Sequence, residues 1–253
     1  MLNYVIVENW YEDPNKIRNF ALERLQLDKS FGESKIKENG YSAYPGHRCK
    51  ANIKNLLENK LKIEKHYNID IDPNRWIFAS TCDFQSNLDM LEFDINTLSM
   101  RTKDSNITLN MFESLSNGCF QYCDENSELW IHSDHGNTYA AVVYLTPNPP
   151  EGSGTGFFRY KKTNEEFQNN SEVVIPKEEC TNFDNWDMVD YVENVYNRCV
   201  IFNAKRFHSA TKYFGITPEN SRLFQVFFFN KKSKINSISN NNFQVNNAVM
   251  RLR

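Results

Sequence analysis

Two kinds of hydrophobic periodicity divide the chain. Residues 13 to 27, DPNKIRNFALERLQL, place Ile17, Phe20, Ala21 and Leu25 on one face at helical spacing. Asp13 stands at the N-cap position and Pro14 at the first helical position, where its missing N–H costs nothing. Residues 50 to 66, KANIKNLLENKLKIEKH, repeat Ile53, Leu56, Leu57 and Leu61 among lysines and glutamates. Both stretches predict amphipathic helices that cover something else. After DPNRWIFASTCDF the period shortens. Aromatic and β-branched runs recur between polar loops: GCFQYC, ELWIHSD, TYAAVVYLT, TGFFRYKK, RCVIFNA and RLFQVFFF. These predict antiparallel strands. The expected fold is α+β and mainly β, a sandwich or barrel with helices gathered at the amino-terminal side.

Residues 161 to 198 interrupt the strands with a polar, acidic stretch containing NEEFQNN and NFDNWDMVDYVENV. It is long enough for a lid, and a surface excursion is the reading preferred. The stretch from Asn230, rich in Asn, Lys and Ser, is expected to lie outside the core. The organisation expected is a single domain over residues 1–253: a helical layer at 1–74, a β core at 75–230 and a polar tail at 231–253.

Composition narrows the classes. The chain has 253 residues, 19 Phe, 12 Tyr and 4 Trp, enough apolar bulk for a sizeable core. A net charge of −3 offers no general attraction for phosphate backbones, despite Lys231, Lys232 and Lys234, so no nucleic-acid partner is expected. Glu8 and Glu12 interrupt the amino terminus too early for a secretory leader, and no run of eighteen apolar residues follows. A soluble, cytoplasmic protein without a membrane partner is the expectation. The six cysteines include no C-x-x-C pair and read as free thiols. Cys119 and Cys123 would share a strand face, too far apart to chelate one ion, and are expected to pack in the core.

The candidate chemistry lies in IHSDHG, residues 131 to 136. On a strand, His132 and Asp134 would point one way and Ser133 and His135 the other. With five histidines, a lone H-x-D arises by chance in roughly one such chain in four, so its context carries the weight. RFHSA brings His208 to a loop-to-strand junction, and SRLFQVFFF follows as a deeply apolar strand opened by Arg222. On that strand Arg222, Phe224, Val226 and Phe228 share one face and Leu223, Gln225, Phe227 and Phe229 the other. A guanidinium there must reach the rim or find an anion, which a ligand could supply. His135 is expected to face solvent or support the ligands, and His47 and His66 to be structural or surface residues.

Two histidines and an aspartate with open positions form the facial triad of non-haem Fe(II) oxygenases. At HSD (His132, Asp134), His208 and Arg222 the sequence resembles the 2-oxoglutarate and Fe(II)-dependent oxygenase superfamily, over roughly residues 75 to 230. The spacings, 74 residues from 134 to 208 and 14 from 208 to 222, suit it. YEDPNKIRNFAL and YPGHR resemble an uncharacterised branch, and EGSGTGFFRY resembles the turn and strand after the metal strand in prolyl-hydroxylase-like members. The resemblance implies a double-stranded β-helix of jelly-roll or cupin type with amino-terminal helices packed on it. It implies Fe(II) on His132, Asp134 and His208, oxoglutarate held by Arg222 and near Tyr122, and dioxygen. The implied activity is hydroxylation of a small-molecule or peptidyl substrate with release of succinate and carbon dioxide. Specificity is expected in residues 161–198 and 85–108.

Two alternatives remain. HSDHG also resembles the end of the H-x-H-x-D-H motif of metallo-β-lactamase-like zinc hydrolases, although Trp130 occupies the first histidine's position. The other is a non-catalytic β-helix binding module with a structural metal, which would not need Arg222 near that metal.

Overall fold

The computed structural model describes residues 4–27, 44–49, 53–71, 76, 91–94, 99–102, 117–169 and 174–231. Most of 85–108 and the tail beyond Lys231 lie outside the described residues, as does Cys82. Helix α1 spans Pro14–Leu27 and α2 spans Ile53–Tyr67, as the periodicity predicts. The α1 cap is present: the Lys16 N–H donates to Asp13 Oδ1 at 3.0 Å, a bond of a kind that contributes about 1 kcal/mol.

The fold is mainly β and antiparallel. Six strands form the major sheet: β1 (Tyr4–Val7), β2 (His47–Cys49), β5 (Phe120–Cys123), β6 (Tyr139–Tyr144), β9 (Cys199–Asn203) and β11 (Arg222–Phe229), in the order β1-β9-β6-β11-β5-β2. A three-stranded sheet, β10-β7-β8, stacks on it, with β7 at Thr155–Tyr160, β8 at Trp186–Val192 and β10 at His208–Ala210. A separate hairpin pairs β3 (Leu91–Asp94) with β4 (Ser99–Thr102).

Strand β11 is buried from end to end, which answers the question of its inner face. Leu223, Phe227 and Phe229 join a core that includes Leu56, Leu57 and Ile63 of α2. Phe224, Val226 and Phe228 enter a second core, shared with Phe157 of β7, between the two sheets. Central strands covered on both faces read as near-continuous apolar runs, as this one does. Gln225, the exception on the helix side, is fully buried and satisfied. Its Nε2 donates to Asn55 Oδ1 at 2.7 Å and Gly118 O at 2.8 Å, while the Tyr11 hydroxyl bonds its Oε1. That network ties α2 to the helix side of β11.

Among the described residues of 161 to 198, the later part is not a surface excursion. Trp186–Val192 pairs along β7 as an integral strand, and Trp186 is buried against Tyr160 and Phe207. Met188 is exposed and Asp187 largely so, which is why this strand reads as polar in sequence. A short helix, α3 (Lys177–Thr181), precedes it. Cys119 and Cys123 are buried in the core between the sheets, as expected. Among the described residues, no helix is long and apolar enough to cross a membrane.

Candidate metal centre

The space between the sheets contains a cavity of about 600 Å³. Residues 131–136 do not form the predicted strand. Only His132 bridges, to His208 of β10, through paired backbone hydrogen bonds of 3.0 and 2.8 Å. The chain then turns: the Asp134 N–H donates to Ala204 O at 2.7 Å and the Asn137 N–H to Asp134 O at 2.9 Å. This turn, rather than strand alternation, carries the Asp134 carboxylate back toward His208.

His132, Asp134 and His208 come together with one ligand atom each within 4.8 Å of the others. His208 Nε2 lies 3.4 Å from Asp134 Oδ2, and the two imidazole centroids are 4.4 Å apart. Each ring is oriented by a backbone carbonyl. His208 Nδ1 lies 2.8 Å from Arg206 O and His132 Nδ1 3.3 Å from Trp130 O. A carbonyl only accepts, so these contacts place the proton on Nδ1 and leave each Nε2 lone pair free.

The electrostatics agree with that state. Burial, followed by the neighbouring His208, pushes the His132 pKa down to about 4, so the ring is neutral at pH 7. Burial opposes ionisation of Asp134, but the adjacent His208 ring, with His132 and the Arg48 guanidinium nearby, outweighs it and holds the carboxyl below its ordinary value. Two imidazole nitrogens and a carboxylate are a donor set for a divalent transition metal.

Arg222 lines the same cavity and is 3% exposed. Its Nε donates to Ser153 O at 3.2 Å, and Nη2 donates to Gly154 O at 3.2 Å and Thr155 Oγ1 at 3.3 Å. The Tyr144 hydroxyl lies 2.7 Å from the same Thr155 oxygen. Among the described residues, no carboxylate forms an ion pair with this guanidinium. The EGSGTG turn earns its glycines here: a Cβ at Gly154 would meet Val192 O at 2.0 Å, so only glycine lets this acceptor sit beneath Arg222.

Tyr122 is not in the site. It pairs with Leu223 in register, turns with it to the helix side of the sheet, and stacks on His47 at 4.9 Å. Strand alternation sends Gln121 and Cys123, not Tyr122, toward the cavity core. The tyrosines on the Arg222 side are Tyr144 and Tyr213, the latter lining the cavity. His135 is exposed at the cavity mouth, as expected, and His66 stacks on Trp10 at 5.9 Å.

Three residues escaped the sequence reading. Arg206, whose carbonyl orients His208, is 2% exposed and pairs with Asp190 at 3.3 Å and Glu166 at 3.4 Å. Arg48 and Gln121 enter from β2 and β5 and line the cavity. RFHSA placed Arg206 two residues from a proposed ligand, and that proximity was the available signal.

No family model matches the chain, and no curated protein matches it. Among solved structures, it is similar to a prolyl-4-hydroxylase from Pseudomonas putida, at 13% identity and a TM-score of 0.44, over 90% of this chain and 92% of that one. It is also similar to HygX from Streptomyces hygroscopicus with nickel and 2-oxoglutarate bound, at 12% identity and a TM-score of 0.44, over 91% and 83% of the respective chains. HygX with iron bound matches at 10% identity and a TM-score of 0.41, again over 91% and 83%. The solved structures similar to the chain thus include a prolyl-4-hydroxylase and HygX, a protein solved with iron or with nickel and 2-oxoglutarate bound.

Proposed function

We propose that the chain is an Fe(II)- and 2-oxoglutarate-dependent dioxygenase, a hydroxylase, organised as one domain on a double-stranded β-helix core. One observation carries this reading: a guanidinium buried without an anionic partner shares a cavity with a two-histidine, one-carboxylate cluster. The separation supports it. His208 and Ala210 lie on one face of β10 and pair with Phe157 and Thr155, and Thr155 accepts from Arg222. Two residues of strand span roughly 7 Å, a length suited to a five-carbon diacid with one end at the metal and the other at Arg222.

In this reading His132 and His208 hold Fe(II) through Nε2 and Asp134 holds it through its carboxylate. When bound, iron with oxoglutarate and dioxygen supplies oxidation of an unreactive C–H bond, with release of succinate and carbon dioxide. The chain's own residues bind and orient. Arg222 offers a planar fork to the distal carboxylate, and Thr155 and the carbonyls of Ser153 and Gly154 fix that fork. Ile131, Phe207, Val226 and Phe228 line the cavity with apolar surface that excludes water. A small-molecule or peptidyl substrate fits the remaining space. A zinc hydrolase would lack a histidine at position 130 and would give Arg222 no role, and a structural-metal module would likewise leave Arg222 unused.

The test is anaerobic. Fe(II) is added to metal-free protein, then oxoglutarate, and the weak visible charge-transfer band of the chelate is followed. The expected outcome is a band in wild type that His208→Ala abolishes, with succinate released once air is admitted. Iron bound without any band on adding oxoglutarate would refute the reading.

A further inference from the structure

The cavity holds a second cation that the cofactor chemistry leaves unused. Arg48, the middle residue of β2, is 9% exposed and lines the cavity. Its Nε donates to Gln121 Oε1 at 2.7 Å, and its guanidinium lies 3.9 Å from the centroid of the Tyr44 ring. The register Arg48↔Gln121 and Gln121↔Phe224 places it on the cavity-facing side of the sheet. It stands two strands from β11, roughly 10 Å away at the usual strand spacing. One five-carbon diacid anchored at the metal and at Arg222 therefore leaves Arg48 free for a different ligand.

Among the described residues no carboxylate forms an ion pair with Arg48. Arg206 shows the contrast, since its buried guanidinium has two carboxylates. The Arg48 charge acts on Asp134 only through space, and a buried cation without an anion in contact is costly to the free protein and rewards whatever anion arrives.

The chemistry of the opening narrows that anion. The Nε edge is taken by Gln121 and one face by Tyr44, which leaves the Nη edge, a fork that matches two coplanar oxygens. Lys177, which also lines the cavity, has its ammonium paired with Glu128 at 2.8 Å. A single unpaired charge suits a monoanion better than a phosphate dianion. The cavity's apolar walls include Ala140, Val226 and Phe228, and a cavity of about 600 Å³ has room for oxoglutarate and a second small molecule.

We infer that Arg48, positioned by Gln121 and Tyr44, anchors a carboxylate of the substrate, and that the substrate is an amphipathic carboxylic acid whose apolar body lies along the cavity wall toward the metal. The inference rests on the oxygenase reading in one respect, that Arg222 and not Arg48 receives oxoglutarate.

The test uses hexanoate as probe and hexanamide as its neutral counterpart, titrated calorimetrically into protein loaded with redox-inert Ni(II) and oxoglutarate. Wild type binds hexanoate at least about tenfold more tightly than hexanamide, a difference of 1.4 kcal/mol. Arg48→Met loses that preference, and Arg48→Lys, which keeps the charge without the fork, retains part of it and serves as the control for folding. A preference that survives in Arg48→Met, or is absent from wild type, overturns the assignment. The Fe(II)–oxoglutarate band measured on the same variants separates the two readings. A loss of oxoglutarate affinity of about a hundredfold in Arg48→Met would make Arg48 the cosubstrate clamp and overturn the substrate anchor. If wild type gives no band, the oxygenase reading fails by itself, and hexanoate preference in metal-free Arg222→Met, with and without Arg48→Met, then decides the subsite.

Discussion

Replacing Arg222 with Met separates a residue that binds a ligand from one that only holds a turn. In the free protein the guanidinium makes three hydrogen bonds of 3.2 to 3.3 Å to Ser153, Gly154 and Thr155, each contributing about 1 kcal/mol. It also lies 4.9 Å from the Phe224 ring centroid and 5.3 Å from that of Tyr144. Against these contacts stands the desolvation of a cation with no ion-pair partner among the described residues, several kcal/mol. Met fills a similar volume without that cost, so the net change in unfolding free energy is expected to stay within about 2 kcal/mol. The ligand-bound state behaves differently. Removing one member of a buried charge pair costs about 3–5 kcal/mol, which corresponds to an oxoglutarate Kd weakened by roughly two to three and a half orders of magnitude. The assay is the anaerobic band titration, run with oxoglutarate and with 2-oxovalerate, which keeps the chelating end and lacks the distal carboxylate. Wild type should prefer oxoglutarate by about a hundredfold and Arg222→Met should show no preference, with Fe(II) affinity unchanged. An intact preference in a folded variant would refute the assignment of Arg222.

The remaining predictions concern the metal ligands and their supports. His132→Ala and His208→Ala each remove one of three protein donors and should abolish Fe(II) binding by equilibrium dialysis, with succinate release falling to background. Because His132 titrates near 4 in the folded chain and near 6.5 when unfolded, its contribution to stability is complete above pH 6.5 and is lost as pH falls toward 4. The loss is about 3 kcal/mol, read as a falling urea midpoint that His132→Asn flattens. Iron retention should accordingly survive pH 5 with respect to this ligand and fail nearer pH 4. Gly154→Ala should destabilise by about 2–3 kcal/mol, because its Cβ would meet Val192 O at 2.0 Å, and should weaken oxoglutarate binding along with it. Arg206→Met removes the partner of Glu166 and Asp190. Both carboxylates are partly exposed, so a stability loss of about 2–3 kcal/mol is expected, with iron affinity also reduced because the carbonyl orienting His208 shifts.

What the sequence disclosed depended on whether the information was local. The α1 start was legible because Asp13 and Pro14 lie beside the turn they cap, and the two faces of β11 because strand alternation is a period of two. The order of His132, Asp134, His208 and Arg222 was legible as a motif, but the geometry joining them was not the one expected. A turn at 134–137 and a single bridge between His132 and His208 replace the strand. Tyr122 failed for a register reason: a side chain's face depends on which strand pairs with it, and pairing with Leu223 turns Tyr122 to the helices. β8 failed because only its ends, Trp186 and Val192, are buried, so its composition matches that of a loop. Arg48 stood in YPGHR without a legible role, since its place opposite Gln121 comes from pairing across a separation of 73 positions.

Two arginines, Arg48 and Arg222, line this cavity and a third, Arg206, lies behind His208, and how each charge is met assigns its work. Arg206 has two carboxylates and lies 4.4 Å from the Phe157 ring centroid; its charge is answered within the chain, and its function is to hold the backbone that aims His208. Arg222 and Arg48 meet carbonyls, a hydroxyl, an amide oxygen and aromatic faces, groups that orient a guanidinium without neutralising it. If stability alone governed these positions, replacement by an apolar residue of like volume would serve as well or better. Cations kept in a cavity, oriented but not neutralised, are arranged for anions that come and go. One stands about a diacid's length from β10's His208 and the other on β2, two strands from β11, so two separate ligands, rather than one, account for both.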